Sequence, residues 1–365
     1  MWCDFPSFPS RALAASVRRR LLTWFDAHGR DLPWRRTRDP YALWVAEVML
    51  QQTRIATVVP FYERFLTRFP TVRALAEADL QAVLSTWAGL GYYRRARHLH
   101  AGAQILLREH GGRLPENAAD FARLPGVGRY TLGAVYSQAF DARLPVVDGN
   151  VQRVLARWGR CPETLTDRPA AQWLWAVAES LLPRRNVGAF NQALMELGQT
   201  VCTPRLPACE HCPLRKCCSA WRTGETSTLP RLPARPRATP IAEVAVLAQR
   251  RTRFLVMQRP GHGRWAHFWE FPHAELKAGE EAGAAAVRLL KTLTGLEADP
   301  MRRLGTIHHT VTRFRIRLEA VLMGPPRGHA HRVANQRWLT LSAIGSLALS
   351  RPQRRLWELL VKQGK

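Results

Sequence analysis

The chain has 365 residues and carries 54 Lys and Arg against 28 Asp and Glu, a formal net charge of +26. Hydrophobic residues make up 46 %, with 13 Trp and 13 Phe, too much apolar surface for a disordered chain. No run approaches the ~18 apolar residues of a membrane-spanning helix, and the length suits two domains or three.

Residues 1–10, MWCDFPSFPS, lack the apolar core of a signal peptide. The next stretch, RALAASVRRRLL, is arginine-rich and acid-poor, as transit peptides are. Its pattern runs unbroken into LLTWFDAHGR, with Leu13, Val17, Leu21, Leu22 and Phe25 at three- and four-residue spacing. That predicts an ordinary amphipathic helix. Residues 11–220 continue as helix after helix, parted by Gly- and Pro-marked loops such as HGRDLPW, GLGYY and LPVVDGN.

In PYALWVAEVMLQQTR, Glu47 stands alone among Trp44, Val45, Val48, Met49 and Leu50. Apolar surroundings disfavour the charged carboxylate and raise its pKa, which suits a general acid near neutrality. Taken alone, a solvated Glu on an outer helix face fits equally. Further along, LPGVGRYT places Gly126 and Gly128 around Val127, ahead of a helical pattern. A hairpin of this kind turns backbone N–H groups outward and can hold a phosphate, although a plain helix–helix turn looks similar. In VVDGNVQRVLARW, Asp148 is a natural turn or N-cap residue. The same position also holds an ionised carboxylate ready to face a developing positive charge.

Cys202, Cys209, Cys212 and Cys218 form C-x6-C-x2-C-x5-C, and with Cys217 five cysteines fall within 17 residues. Such crowding reads as a metal site in a reducing compartment, not a disulfide framework. Zinc sites usually come as two separated C-x2-C pairs and only one is present, so the spacing favours a [4Fe–4S] cluster. Cys217 could replace Cys218 as fourth ligand, but the x5 spacing favours Cys218. Four metal-free buried thiols are the plainer alternative.

Residues 223–240, with Pro230, Pro233, Pro236 and Pro240, read as a semi-rigid linker. Beyond it EVAVLAQ, RFLVMQR and RFRIRLEAVLM read as strands, EEAGAAAVRLLKTLTG and PQRRLWELLVKQ as helices. A separate α+β domain follows. The positive surplus is shared: residues 1–240 hold 33 basic and 19 acidic side chains, and residues 241–365 hold 21 and 9. Both parts suit nucleic acid, with anionic membrane as the second candidate.

Taken together, LPWR, WVAEVMLQQT, GLGYYRRARHLH, LPGVGRYTLGAV, VVDGNVQRVLAR, FNQALMELG and the four cysteines resemble the MutY-type adenine DNA glycosylases of the helix-hairpin-helix, Fe–S superfamily. The resemblance implies a multidomain fold, with an all-α helix-hairpin-helix glycosylase domain carrying the Fe–S loop and a C-terminal α+β MutT-like domain. The boundaries expected are 1–222 for the catalytic region, 223–240 for the linker and 241–365 for the lesion-recognition domain. Glu47 matches the acid that protonates adenine. Asp148 matches the carboxylate that stabilises the sugar cation, directly or through a transient covalent bond, and Asn150 its support. Tyr130 matches a tyrosine near the reacting nucleotide. Gln51 and Tyr92 match duplex wedges, with Leu50, Gln52, Gly126, Val127 and Gly128 as further DNA contacts. The expected substrate is double-stranded DNA with adenine opposite 8-oxoguanine or guanine, its target base flipped out of the stack. Endonuclease III-like relatives carry a lysine nucleophile where Tyr130 stands. Residues 1–240 hold Lys216 alone, inside the cysteine loop, so a monofunctional enzyme is expected.

In the MutT-like part, Val287–Thr292 supplies no metal-binding glutamates, so no nucleotide hydrolysis is expected. The lesion-reading loop matches Val311, Thr312 and Arg313, without the family's wedge aromatic. Thr312 and Arg313 are the candidate contacts, an ordinary hairpin being the other reading. A monomer in bacterial cytoplasm, associated with the nucleoid and not with a membrane, completes the expectation. The competing readings are a related glycosylase with another target, such as thymine opposite guanine, and a non-catalytic Fe–S DNA-binding protein.

Overall fold

Apolar residues at helical spacing build the N-terminal half. In a computed structural model that describes residues 7–233, 237–261, 265–311, 313–328 and 335–363, they form α1 (Arg11–His28), α2 (Pro40–Leu50), α3 (Ile55–Arg68), α4 (Val72–Ala76), α5 (Leu80–Trp87), α6 (Arg94–His110), α7 (Ala118–Ala122), α8 (Arg129–Phe140), α9 (Gly149–Gly159), α10 (Arg168–Leu181), α11 (Val187–Thr200) and α12 (Ser219–Arg222). Caps mark the starts: Ser10 accepts from the Leu13 N–H, Asp39 from Tyr41, and Asp79 from Gln81 and Ala82. The chain divides into two units, residues 1–77 with 98–234, and residues 78–97 with 235–365.

In the first unit α2 is buried from Tyr41 to Met49, on every side. A helix that is apolar all round belongs in a core, and α2 packs on α3 and α8. Val17 and Leu21 of α1, Val151 and Leu155 of α9, Trp173 and Val177 of α10, and Phe190 and Leu194 of α11 share the neighbouring core. Gly198 lets α11 approach the start of α9. A Cβ there would lie 2.7 Å from Asn150 Cβ and 2.8 Å from its carbonyl oxygen. The Pro-rich stretch is anchored at its start, where buried Leu229 accepts a 2.8 Å hydrogen bond from Arg157 Nε.

The second unit is built on β1 (Thr239–Arg250), β2 (Arg253–Gln258), β3 (Trp269–Glu270), β4 (His273–Glu275), β5 (Pro300–Val311), β6 (Phe314–Met323) and β7 (Gln336–Thr340). The sheet order is β3-β2-β1-β6-β5, with β4 also on β1 and β7 on β2. β1 and β6 run parallel from Thr239 opposite Phe314 to Ala248 opposite Met323, and β5 and β6 are antiparallel. Ala245 and Leu247 face one core, with Leu356 and Leu360 of α15 (Arg351–Gln363). Val244, Val246 and Ala248 face the other, with Ala285 and Leu289 of α13 (Ala282–Thr294). Covering on both faces explains why this strand reads as a continuous apolar run. The short α14 (Leu341–Gly345) precedes α15.

This unit also holds α5 and the segment to Arg97. Gln81 Nε2 donates to the His267 carbonyl at 3.0 Å, Arg97 Nη1 to that of Ala266 at 3.2 Å, and the Tyr93 and Phe268 rings lie 4.2 Å apart. Helical periodicity marks α5 as a helix but carries no signal for the unit it joins.

Replacing Gly198 with Ala forces Asn150 and the start of α9 aside. The expected cost is about 1–3 kcal/mol in chemical denaturation, as for other overpacked sites. An unchanged midpoint would show that α9 yields freely.

Candidate active site

Side chains of α2 and α8 meet at one carboxyl group. Glu47, 2 % exposed, sits on the penultimate turn of α2 among Trp44, Val48 and Met49. Its Oε2 accepts from the Tyr130 hydroxyl at 2.8 Å and its Oε1 from Gln138 Nε2 at 3.2 Å, both side chains lying on α8. Burial pushes the Glu47 carboxyl up to about 7, against those two hydrogen bonds and the Arg35 charge, and Asp148 adds to the rise. Burial and the Glu47 charge likewise hold the Tyr130 phenol well above its usual range.

Asp148 is the N-cap of α9. Its Oδ1 accepts from the N–H groups of Asn150 (3.0 Å) and Val151 (2.7 Å), and its Oδ2 from Asn150 Nδ2 (2.8 Å). Burial raises its pKa above the ordinary aspartate value, and the three hydrogen bonds and Arg153 oppose that rise. Cap and catalytic candidate are therefore one side chain. Asn150 is held in turn by Arg153 Nη2 at 2.9 Å, and Arg153 also donates to the carbonyls of Gly198 and Cys202 at 2.6 and 2.7 Å.

Glu47, Tyr130, Asp148 and Asn150 line one cleft of about 970 Å³, together with Leu50, Gln51, Gln52, Gly126 and Gly128. Gln51 donates to Thr131 Oγ1 at 3.2 Å. Gln52 is exposed and takes a left-handed backbone (φ 56°), uncommon for a side chain without special need. Trp34, Arg30, Arg35, Gln192 and Met195 complete much of the wall. Behind them Glu196, fully buried, binds Arg30 Nε (2.5 Å) and Arg35 Nη2 (2.8 Å). Burial opposes its ionisation, but the two guanidinium groups outweigh burial and hold it below the usual carboxylate range. The site thus contains two buried glutamates in opposite regimes.

Sequence reasoning did not single out Gln138 or the Glu196 ion pair. Gln138 stands two turns beyond Tyr130, a faint helical signal. Glu196 lies in FNQALMELG, where only its spacing among apolar residues hints at burial.

In the hairpin Gly126 has φ 77°, and a Cβ there would lie 2.7 Å from His98 Nδ1. The Val127 N–H closes the turn onto the Leu124 carbonyl at 3.1 Å, so it points inward, unlike the outward set expected. Gly128 is the N-cap of α8 and offers no side-chain cap, which leaves the first turn of that helix for an external acceptor. Tyr92, 58 % exposed with φ 49°, and Arg313 belong to the second unit. Arg313 is exposed in the β5–β6 turn, 5.2 Å from the centre of the Phe314 ring. Thr312 lies outside the described residues.

Cys202, Cys209, Cys212 and Cys218 line one small cavity with Arg157, Leu214 and Trp221. Burial, then mutual repulsion, pushes the Cys212 thiol up to about 12. Cys217 turns its sulfur to the Leu214 carbonyl at 3.3 Å and is not part of that lining. Arg157 Nη1 lies 3.4 Å from Cys202 Sγ. Among the described residues, no three His, Cys, Asp or Glu close on a point as around a single ion. The four thiols line one apolar cavity, and thiolates are the ligand type of a four-iron cluster.

Residues 45–180 match the HhH-GPD superfamily of base excision DNA repair proteins, and residues 243–359 match the NUDIX domain. The chain is 34 % identical to the adenine DNA glycosylase of Mus musculus, covering 96 % of this chain and 79 % of that protein. For the Homo sapiens protein of the same name the values are 34 %, 96 % and 75 %. For that of Buchnera aphidicola subsp. Schizaphis graminum they are 27 %, 93 % and 97 %. A solved thermostable thymine-DNA glycosylase aligns with TM-score 0.52 and 30 % identity, over 57 % of this chain and 97 % of its own. A trapped endonuclease III–DNA covalent intermediate shares the fold, with TM-score 0.51 and 22 % identity over 60 % and 99 %.

A raised carboxyl pKa costs stability as the pH climbs above the unfolded-state value. Below the unfolded-state value near 4.5 Glu47 is protonated in both states and exacts nothing. The penalty grows between 4.5 and about 7 and is complete above. Glu47→Gln is therefore expected to be the more stable protein at pH 8 by up to about 3 kcal/mol, with the gap closing towards pH 4.5. Urea denaturation at the two pH values checks this, and a pH-independent gap would refute the rise.

Proposed function

Because the chain belongs to the adenine DNA glycosylase family, we propose that it excises adenine from DNA through Glu47 and Asp148, acting from opposite protonation states. The carrying observation is that both carboxyls line one cleft, Glu47 pushed up to about 7 and Asp148 bound by three N–H donors. Such a pair divides acid and anion roles by environment.

Glu47 gives its proton to a ring nitrogen of adenine as the bond from sugar to base breaks, and the bonding electrons leave with the base. The Asp148 carboxylate, held by Asn150, stabilises the cationic sugar. Water then adds to the sugar carbon, and its proton returns to Glu47. The target base is flipped into the cleft, since a carboxyl buried on α2 cannot reach into a stacked duplex. Tyr130 occupies the position of the lyase amine and no lysine lines the cleft among the described residues, so the product is an abasic site without strand scission.

Leu50, Gln51 and Gln52 at the cleft edge, with Tyr92, open the duplex. Gly126, Val127 and Gly128 set the uncapped start of α8 against a phosphate. Residues 1–222 are the catalytic region, 223–240 its tether, and 241–365 the domain that inspects the opposite base, with Thr312 and Arg313 as readers of 8-oxoguanine. Cys202, Cys209, Cys212 and Cys218 hold a [4Fe–4S] cluster, whose contribution is to order their loop. Arg205, Arg215 and Lys216 of that loop then face the DNA backbone. The protein works as a monomer in the cytoplasm.

Single-turnover assays on duplexes with adenine opposite 8-oxoguanine, guanine or cytosine, and with thymine opposite guanine, test the reading. Strand breaks are expected only after alkali, only at adenine, and fastest opposite 8-oxoguanine. Glu47→Gln is expected to bind duplex and excise nothing. Cleavage at thymine would favour the thymine glycosylase likeness, and tight binding without excision would favour a non-catalytic binder.

Anaerobically purified protein is expected to be brown, with about four irons per chain and the broad visible absorption of Fe–S clusters. Cys218→Ser should lose that colour and Cys217→Ser should keep it. A colourless, zinc-loaded protein would remove the cluster from the proposal.

A further inference from the structure

We infer that Gln138 confines the acid proton of Glu47 to Oε2, the oxygen beside Tyr130, and so acts as a positioning residue for adenine protonation. This rests on the reading of Glu47 as the acid.

The two oxygens of Glu47 stand in different settings. Oε2 meets the hydroxyl of Tyr130, a cleft residue. Oε1 meets the amide of Gln138, which reaches it from a second cavity of about 390 Å³ lined also by Thr37, Arg38, Asp141 and Arg185. Trp34, Arg35 and Gln192 line both spaces and form the partition between them. Gln138 is not part of the cleft wall. It acts on a base in the cleft only through Glu47.

An amide can present either its NH2 or its oxygen to a carboxyl group. Here a second acceptor decides. Gln138 Nε2 also donates to the Ala134 carbonyl at 3.0 Å. A carbonyl only accepts, so a reversed amide would set its oxygen against that of Ala134 and forfeit the bond there. Gln138 therefore offers N–H to Oε1 whatever the charge on Glu47, and a proton on Oε1 would collide with it. The Tyr130 hydroxyl has no such limit. It donates to an ionised Oε2 and rotates to accept from a protonated one. The acid proton is thereby placed on the oxygen that shares its partner with the cleft.

The sign of the effect follows. Gln138 stabilises the carboxylate and restrains the rise that burial imposes, as do Tyr130 and the Arg35 charge, while Asp148 pushes the other way. Without the amide N–H, Glu47 holds its proton to higher pH, yet on either oxygen. Excision needs the protonated form, so the alkaline limb of the rate profile moves up. The plateau falls, because part of the population carries the proton on the wrong side.

The test is single-turnover adenine excision by the full chain against pH, for Gln138→Leu beside wild type and Glu47→Gln, with duplex affinity measured alongside. Gln138→Leu is expected to bind DNA as wild type does. Its alkaline limb should shift up by about one pH unit, and its plateau should fall at least about twofold. Should Gln138→Leu not fold, Gln138→Met keeps the length without the donor and carries the same expectation. An unmoved alkaline limb in a folded, DNA-binding variant overturns the inference. If Glu47→Gln is inactive in that case, the assignment of Glu47 stands and only the role of Gln138 falls. If Glu47→Gln excises adenine, the acid itself has been misplaced.

Discussion

The burial of one carboxyl group governs this molecule. An ionised side chain cannot enter an apolar helix core without compensation, and Glu47 enters it among Trp44, Val48 and Met49. The fold answers with two neutral donors, Tyr130 and Gln138, both from α8. That answer fixes the angular placement of α8 against α2, because both side chains must point at one place. The hairpin before α8 and the cap at the start of α9 are then located by the same packing.

Glu196 solves the same problem differently. Two guanidinium groups keep it charged where two neutral donors leave Glu47 poised near neutrality. The contrast shows that burial alone does not set a carboxyl's state. Whether burial prevails depends on the charge of the donors set against it.

Much of this was legible in the sequence. Glu47 stood out because one acidic residue interrupts an apolar run, Asp148 because it precedes Gly-Asn and a helix, and the cysteines because five crowd into 17 residues. These signals are local. What escaped was tertiary. Gln138 looks like any polar residue on a helix until α2 is laid against α8. The Arg30 and Arg35 partners of Glu196 lie over 160 residues away in the chain. The helical period of α5 could not reveal that Gln81 bonds to His267. The inward Val127 N–H depends on turn geometry, which two glycines permit but do not dictate. In the second unit, the apolar run of β1 was readable as a strand, but the layers that cover its two faces were not.

The left-handed backbones of Gln52 and Tyr92 bear on how such an enzyme searches. Each such conformation costs on the order of 1–3 kcal/mol, met by the packing around it. The expense is borne once, when the chain folds. A probe that had to be twisted into shape at each base pair would slow every step of a scan, because each encounter would repeat the ordering. Under the wedge roles proposed above, a probe set in advance makes each inspection brief, and the fold then bears on sampling speed along undamaged DNA.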